Sequence, residues 1–420
     1  MRPGPDLDVL SGATRWDLRV ESWRGHHKIA DVPCWNVKLD WSELAKADSS
    51  PKAPAKLTLN APREWAPKGY YDALSCYGQT LWPYVIVTDF NGGRWEVPMG
   101  GFRITDSVGD PENTAVEARD MLLNFEENPL PWAHSPWPGE TAFNFLRRME
   151  ITGWPVRVNK GWATRLINAN MQLPTDRLAS VIQVADSIGC DLTMDYDGVI
   201  DMYPRAKWDN PTNVTYSQAG GMLVSAVRTL TPGGRLANRY YVTAEGERVE
   251  IEDKSTKHDK TAKWVDPRAK QQDGIAPRTL KSGDQDIPIW VEDNSRFRNE
   301  IIWDKDKKSF HHRYTVLRDY NQAPYDWAYG KVTNIRNKQT TDDRGFLNMW
   351  GDWDQAYSRA RSPKWTVTIA FDPRIEIGDI VRFEPDPGTW VVMSVTSYSM
   401  DLSNGGSTMT MDGRELRRWG

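Results

Sequence analysis

Glu376 and Asp379 flank Ile377-Gly378, and a pair of carboxyl groups is what a glycosidase uses to protonate a leaving group and to attack or activate water. That chemistry needs the two groups at a set separation across a cleft, which a short interval within one turn does not establish. The competing reading is conformational. Gly378 supplies the positive φ of a turn and Asp379 bonds back to the local backbone. Asp195, Asp197 and Asp201 bracket a second turn at Asp197-Gly198 and suggest calcium or another carboxylate pair. The glutamate that closes a calcium loop is missing downstream, and Asp197 already serves the turn. His26-His27 and His311-His312 carry metal-binding atoms, but neighbours on a strand point to opposite faces, so neither pair chelates by itself.

Cys34, Cys76 and Cys190 lie far apart with no C-x-x-C spacing, the pattern of three separate packed thiols and not of a zinc site or a disulfide framework. Asn213-Val214-Thr215 fits the glycosylation pattern, which a chain without a secretory leader does not use. No G-x-S-x-G, H-E-x-x-H, phosphate-loop or dinucleotide fingerprint occurs. The sequence therefore predicts no catalytic, cofactor or metal site, and no enzyme.

The chain around these residues reads mostly as strands. Trp16, Leu18 and Val20 alternate, as do Trp35, Val37, Leu39 and Trp41, then Leu57, Leu59 and Ala61. Asn91-Gly92-Gly93 predicts a hairpin between runs at 84–90 and 94–97, and 102–104 adds a short strand. A Pro-rich connection at 127–131 marks a boundary. Two helices follow, one carrying Ala142, Phe145, Leu146 and Met149, the other starting at a Pro174-Thr175 cap and carrying Leu178, Val181, Ile182, Ala185 and Ile188 until Gly189. Runs at 190–196 and 199–203 form a hairpin around Asp197-Gly198. Strand character resumes at 213–228 and continues at 238–242.

The stretch 254–286 is dense in Lys and Asp and nearly free of large aliphatics, so it predicts an exposed polar insertion. Structure returns at 287–291. Trp353, Ala356, Tyr357 and Ala360 fall at helical spacing. Trp365, Val367, Ile369 and Phe371 alternate, and two short strands are expected to meet at Gly378-Asp379 within 373–383.

At 420 residues the chain predicts more than one domain: a first β-barrel over 1–128, a peripheral α+β module over 129–206, and a second β-barrel with associated α+β elements over 207–420. The fold class is β-rich α+β. The longest apolar run, at 84–87, is too short for a membrane span, and Met1–Asp8 lacks the apolar region of a secretory signal; synthesis and assembly in cytoplasm are expected. Fifty-three basic against 57 acidic residues leave the surface too balanced for a protein that grips nucleic acid through its phosphates. The 21 tryptophans, spread from Trp16 to Trp419, suit thin cores, protein interfaces or sugar stacking.

Taken in order, Val97-Pro98-Met99-Gly100-Gly101-Phe102-Arg103-Ile104, Ala115-Val116-Glu117-Ala118-Arg119-Asp120, the 178–188 helix with its Asp197-Gly198 hairpin, and 373–383 before 390–395 resemble a bacteriophage tail hub. The chain is similar to the minor tail proteins of long-tailed phages of actinobacteria, within the wider family that includes the late control protein D type. The resemblance implies a homotrimer at the virion tail tip, each chain giving two small barrels to a ring around the channel. It also implies the partners: the distal tail protein, the tape measure protein, spike or fibre proteins, and DNA in transit without specific binding. The competing class is a virion-borne cell-surface carbohydrate binder or glycosidase. Three or more tryptophans lining one groove beside a carboxylate pair would favour it.

Overall fold

The computed structural model describes residues 1–44, 51–167, 169, 171–205, 210–230, 363–403 and 408–419, together with the backbone of six strands between 239 and 337. After a single turn of helix, α1 (Leu7–Leu10), the first 128 residues are a run of strands: β1 (Thr14–Arg24), β2 (His27–Asp31), β3 (Trp35–Ser42), β4 (Lys56–Pro62), β5 (Gln79–Asp89), β6 (Arg94–Pro98), β7 (Phe102–Gly109) and β8 (Asn113–Asp120). Alternation becomes burial. Val37, Leu39 and Trp41 of β3 face the core, as do Leu57, Leu59 and Ala61 of β4. Trp35 departs from this pattern and is exposed. Asn36 takes φ 51°, and the register to β4 shifts between Trp35 and Lys38, so a bulge turns the first residue of the strand away from the core.

The module consists of α2 (Leu123–Glu126), α3 (Ala142–Met149), β9 (Val156–Val158), α4 (Lys160–Ala163), α5 (Arg177–Ile188), β10 (Cys190–Met194) and β11 (Ile200–Pro204). α3 buries the expected face; α5 buries Leu178, Val181, Ala185 and Ile188, whereas Ile182 is half-buried and Val184 is buried in addition. The cap of α5 is Asp176, not Pro174-Thr175: its Oδ1 accepts from Ala179 N–H at 2.8 Å, an orphan donor that the side chain of Thr175 does not reach. Gly189 closes the helix at φ 74°. β10 and β11 form the hairpin, and β9 adds to β11 in parallel.

Next come β12 (Val214–Tyr216), β13 (Leu223–Leu230), β14 (Arg239–Val249), β15 (Ile275–Ser282), β16 (Gln285–Asp293), β17 (Phe297–Asp304), β18 (Ser309–Asp319) and β19 (Thr333–Asn337). β14–β19 make a separate six-stranded sheet in the order β15-β16-β17-β18-β14-β19. The polar stretch is therefore not a loop throughout, because its end, β15, pairs with β16 along its whole length. Ladder hydrogen bonds between adjacent segments can form without large aliphatics. Residues 254–274 and the helix expected at 353–360 lie outside the described residues.

The last strands are β20 (Pro363–Ala370), β21 (Ile380–Asp386), β22 (Thr389–Asp401) and β23 (Thr408–Trp419). They join the first eight in one sheet with the path β13-β20-β23-β22-β3-β4-β8-β7-β5-β1-β2, with β6 on β5 and β21 between β22 and β12. This ladder is open among the described residues. The junction is β22: its first half pairs with β21, and then Ser397–Asp401 pairs with Lys38–Ser42 of β3. One contiguous buried cluster runs from Leu10 to Met411 and includes the module's helices. Residues 373–379 are turns, not a strand. The carbonyls of Pro373 and Ile375 accept from the Arg2 guanidinium, which takes them out of any ladder.

Candidate functional site

The segment 372–379 is organised by two buried guanidinium groups. Asp372, wholly buried, accepts from Arg374 Nε at 2.9 Å and Nη2 at 2.7 Å, and from the Tyr216 hydroxyl at 2.7 Å. Arg374 Nη1 donates onward to the Pro5 carbonyl at 2.8 Å. Arg2 is 3 % exposed; besides the two carbonyls it reaches the Tyr398 hydroxyl at 2.5 Å, and its guanidinium lies 5.9 Å from the centre of the Trp41 ring. Hydrogen bonds hold both terminal nitrogens of the Arg2 fork, while its buried Nε makes none; the acceptors around the two ends make a buried cation tolerable.

Glu376 and Asp379 do come together, around the Met1 ammonium: its nitrogen is 2.9 Å from Asp379 Oδ1 and 3.2 Å from Glu376 Oε2. Asp379 Oδ2 also accepts from the Glu376 N–H at 2.8 Å, the backbone bond expected of the turn, and Gly378 has φ 86°. Burial pushes Glu376 up to about 8, against the pull of Arg2, and raises Asp379 as well. At neutral pH this cluster keeps a proton that a free carboxyl would have released. A polar cleft of about 400 Å³ opens beside it, lined by Arg2, Trp41, Asp195, Tyr203 and Glu376 among others.

Asp195, Asp197 and Asp201 also converge, on a residue that no motif or spacing singles out. Arg157 of β9 contacts Asp195, lies 3.1 Å from Asp201 and reaches Asp197 at 3.7 Å. A guanidinium fills the place a cation would take, and no metal-binding group of side chains occurs among the described residues. His26 and His27 lie exposed at the β1–β2 turn; His311 and His312 sit on β18, paired with β14 and β17. Cys190 is buried, Cys34 half-buried and Cys76 exposed, so Cys76 is not a packed thiol. Burial pushes Cys34 up to about 11 and Cys190 up to about 12. Asn213 Oδ1 accepts from Ile380 N–H at 2.7 Å, which uses the amide to tie β12 to β21.

A second opening, of about 590 Å³, is aromatic. Trp23 of β1, Trp82 and Tyr84 of β5 and Trp154 of the module line it, with Asn124, Arg103 and Thr152 at its polar side. The indole N–H groups all point into the protein: Trp23 donates to Glu21 at 2.9 Å, Trp82 to Thr80 at 3.0 Å, and Trp154 to the Gly198 carbonyl. Trp82 and Trp154 stack with ring centres 6.2 Å apart. Trp82 is wedged between glycines. A Cβ at Gly101 would sit 2.7 Å from its Cζ2, and one at Gly198 would overlap its Cη2. The hairpin glycine is thus required twice, for φ 74° and for this approach.

No family model matches the chain, and no curated protein does. Among solved structures, the tail protein from Neisseria meningitidis MC58 matches at TM-score 0.53 and 11 % identity, over 95 % of this chain and 96 % of that one. The 43 kDa tail protein of prophage MuSo2 from Shewanella oneidensis matches at TM-score 0.49 and 12 % identity, over 94 % and 98 %. Prophage tail protein gp18 from Listeria monocytogenes EGD-e follows at 0.47 and 8 %, over 94 % of each. The fold assignment rests on the first: end to end, this chain has the fold of that tail protein.

Proposed function

We propose that the chain is a structural protein of a phage tail, acting as a hub at the tail tip. Three copies form a ring that joins the tail tube and distal tail protein to a spike or fibres and surrounds the channel for the tape measure protein and DNA. The observation that carries this reading is the full-length match to the Neisseria tail protein. The ring in this reading requires internal duplication, because a trimer presents six equivalent surfaces only if each chain supplies two. β5 pairs with β1 along its whole length on one edge and with β6 and then β7 on the other. β22 pairs along its length with β23 and, on its other edge, with β21 and then β3. In this reading the two small barrels of the ring are those of 1–128 and 207–420. The near balance of charge suits a channel that DNA must leave.

The test is mass in solution, followed by imaging of the intact particle. Three times the 48.0 kDa chain, and a rotation near one sixth of a turn relating the two halves around the channel, are expected. A monomer at all concentrations, or one half placed away from the channel, refutes the reading. The hub has no catalytic role in this proposal, since Asp379 Oδ2 accepts from the Glu376 N–H within the turn and Glu376 Oε1 accepts from the Tyr196 N–H. Purified cell wall and model glycans should stay intact on incubation; soluble fragments whose release stops in Glu376→Gln would overturn that part.

A further inference from the structure

We propose that the groove of Trp23, Trp82 and Trp154 binds a pyranose-containing glycan. The indoles come from β1, β5 and the module, yet they line one opening of about 590 Å³, within the size of ordinary ligand pockets. Their N–H groups are all spent on protein acceptors. Trp82 and Trp154 already stack on each other, so what the groove offers a ligand is the remaining ring surface, and a pyranose presents a flat array of C–H groups to such a surface. Trp82 cannot rotate away between Gly101 and Gly198, so little ordering cost remains on binding.

The rest of the wall fits a sugar better than a cation or a peptide strand. Arg103 Nη1 donates to Asn124 Oδ1 at 2.9 Å, and Asn124 Nδ2 to the Thr152 hydroxyl at 3.2 Å, a chain of amide, guanidinium and hydroxyl groups of the kind that reads ligand hydroxyls. No carboxylate lines the groove, which removes the counter-charge a bound ammonium would want. Gly25, Gly78 and Gly153 also line it; each has positive φ, and a Cβ at any of them would meet nothing within 4 Å. The opening is therefore left clear by backbone that a larger residue would strain. A sheet edge for a peptide is lacking there, because β5 is paired on both sides.

The experiment is titration of the full chain with cello-, manno-, galacto- and chitotetraose, read by tryptophan fluorescence and by calorimetry. Saturable binding of at least one is expected, weakened about tenfold or more in Trp23→Ala, a loss on the scale of one aromatic contact. Trp132→Ala, an exposed tryptophan elsewhere (71 %), should bind as wild type, and both variants should keep the wild-type melting temperature within a few degrees. No saturable binding of any of the four sugars overturns the proposal. So does equal binding by Trp23→Ala, or a change in the number of associated copies in that variant, which would make the face a contact between copies. The tail-hub reading is tested separately by mass and imaging, so either can fail alone.

Discussion

Arg2 shows how much one residue near the chain start can organise. Its fork holds the carbonyls of Pro373 and Ile375 and the Tyr398 hydroxyl, and it lies against Trp41. Arg2→Met keeps much of the stem's packing but leaves these acceptors buried without a donor, so a loss of about 3 kcal/mol is expected in urea unfolding. Asp120 makes a pH-dependent contribution. Burial pushes it up to about 7, although its oxygens accept from Ala55 N–H at 2.7 Å and Leu122 N–H at 2.8 Å. The unfolded chain releases that proton near the ordinary 3.8, so between roughly pH 4 and 7 the folded state binds more protons. Stability should therefore fall as pH rises through this window, by up to about 4 kcal/mol from this group, and level off above it. Urea midpoints across that range should show a shallower slope for Asp120→Asn, which cannot titrate; an unchanged slope would place the effect elsewhere.

At the scale of elements, the hairpin of β10 and β11 packs against Trp82 of β5 at one glycine, Gly198. Gly198→Ala adds a Cβ where Trp82 already lies and puts an L side chain at positive φ, so it should cost well over the roughly 1 kcal/mol of conformational strain alone. Gly139→Ala is the matched control: φ is +75° but nothing lies within 4 Å of its Cβ, and only the conformational cost is expected. Differential scanning calorimetry separates the two. Equal losses would mean that the Trp82 contact yields without resistance.

At the scale of the molecule, the continuous sheet predicts that the halves do not fold apart. A fragment of residues 1–128 would expose the edge of β3 where Lys38–Ser42 pairs with Ser397–Asp401, an open ladder with Trp41 beside it. Size-exclusion chromatography with light scattering should find it associated or aggregated, while a monomeric, cooperatively melting fragment would show that the first half is autonomous. The full chain should melt in this region as one transition, since one buried cluster spans both halves and the module.

Local order was written plainly in the sequence. Period-two runs became β3, β4 and β20, helical spacing became α3 and α5, and Gly92, Gly189, Gly198 and Gly378 took the positive φ that turns and caps demand, because these features depend on neighbours a few residues away. Partnership across the chain was not legible. Arg2 and Pro373 meet 371 residues apart, Arg157 gathers three aspartates from another strand pair, and three tryptophans from separate segments share one groove. The 373–377 alternation read as a strand until Arg2 took its carbonyls. Periodicity tells which face of an element is apolar, but which face it meets is settled by the packing of the whole core, and only that packing decides which charges and rings end up side by side.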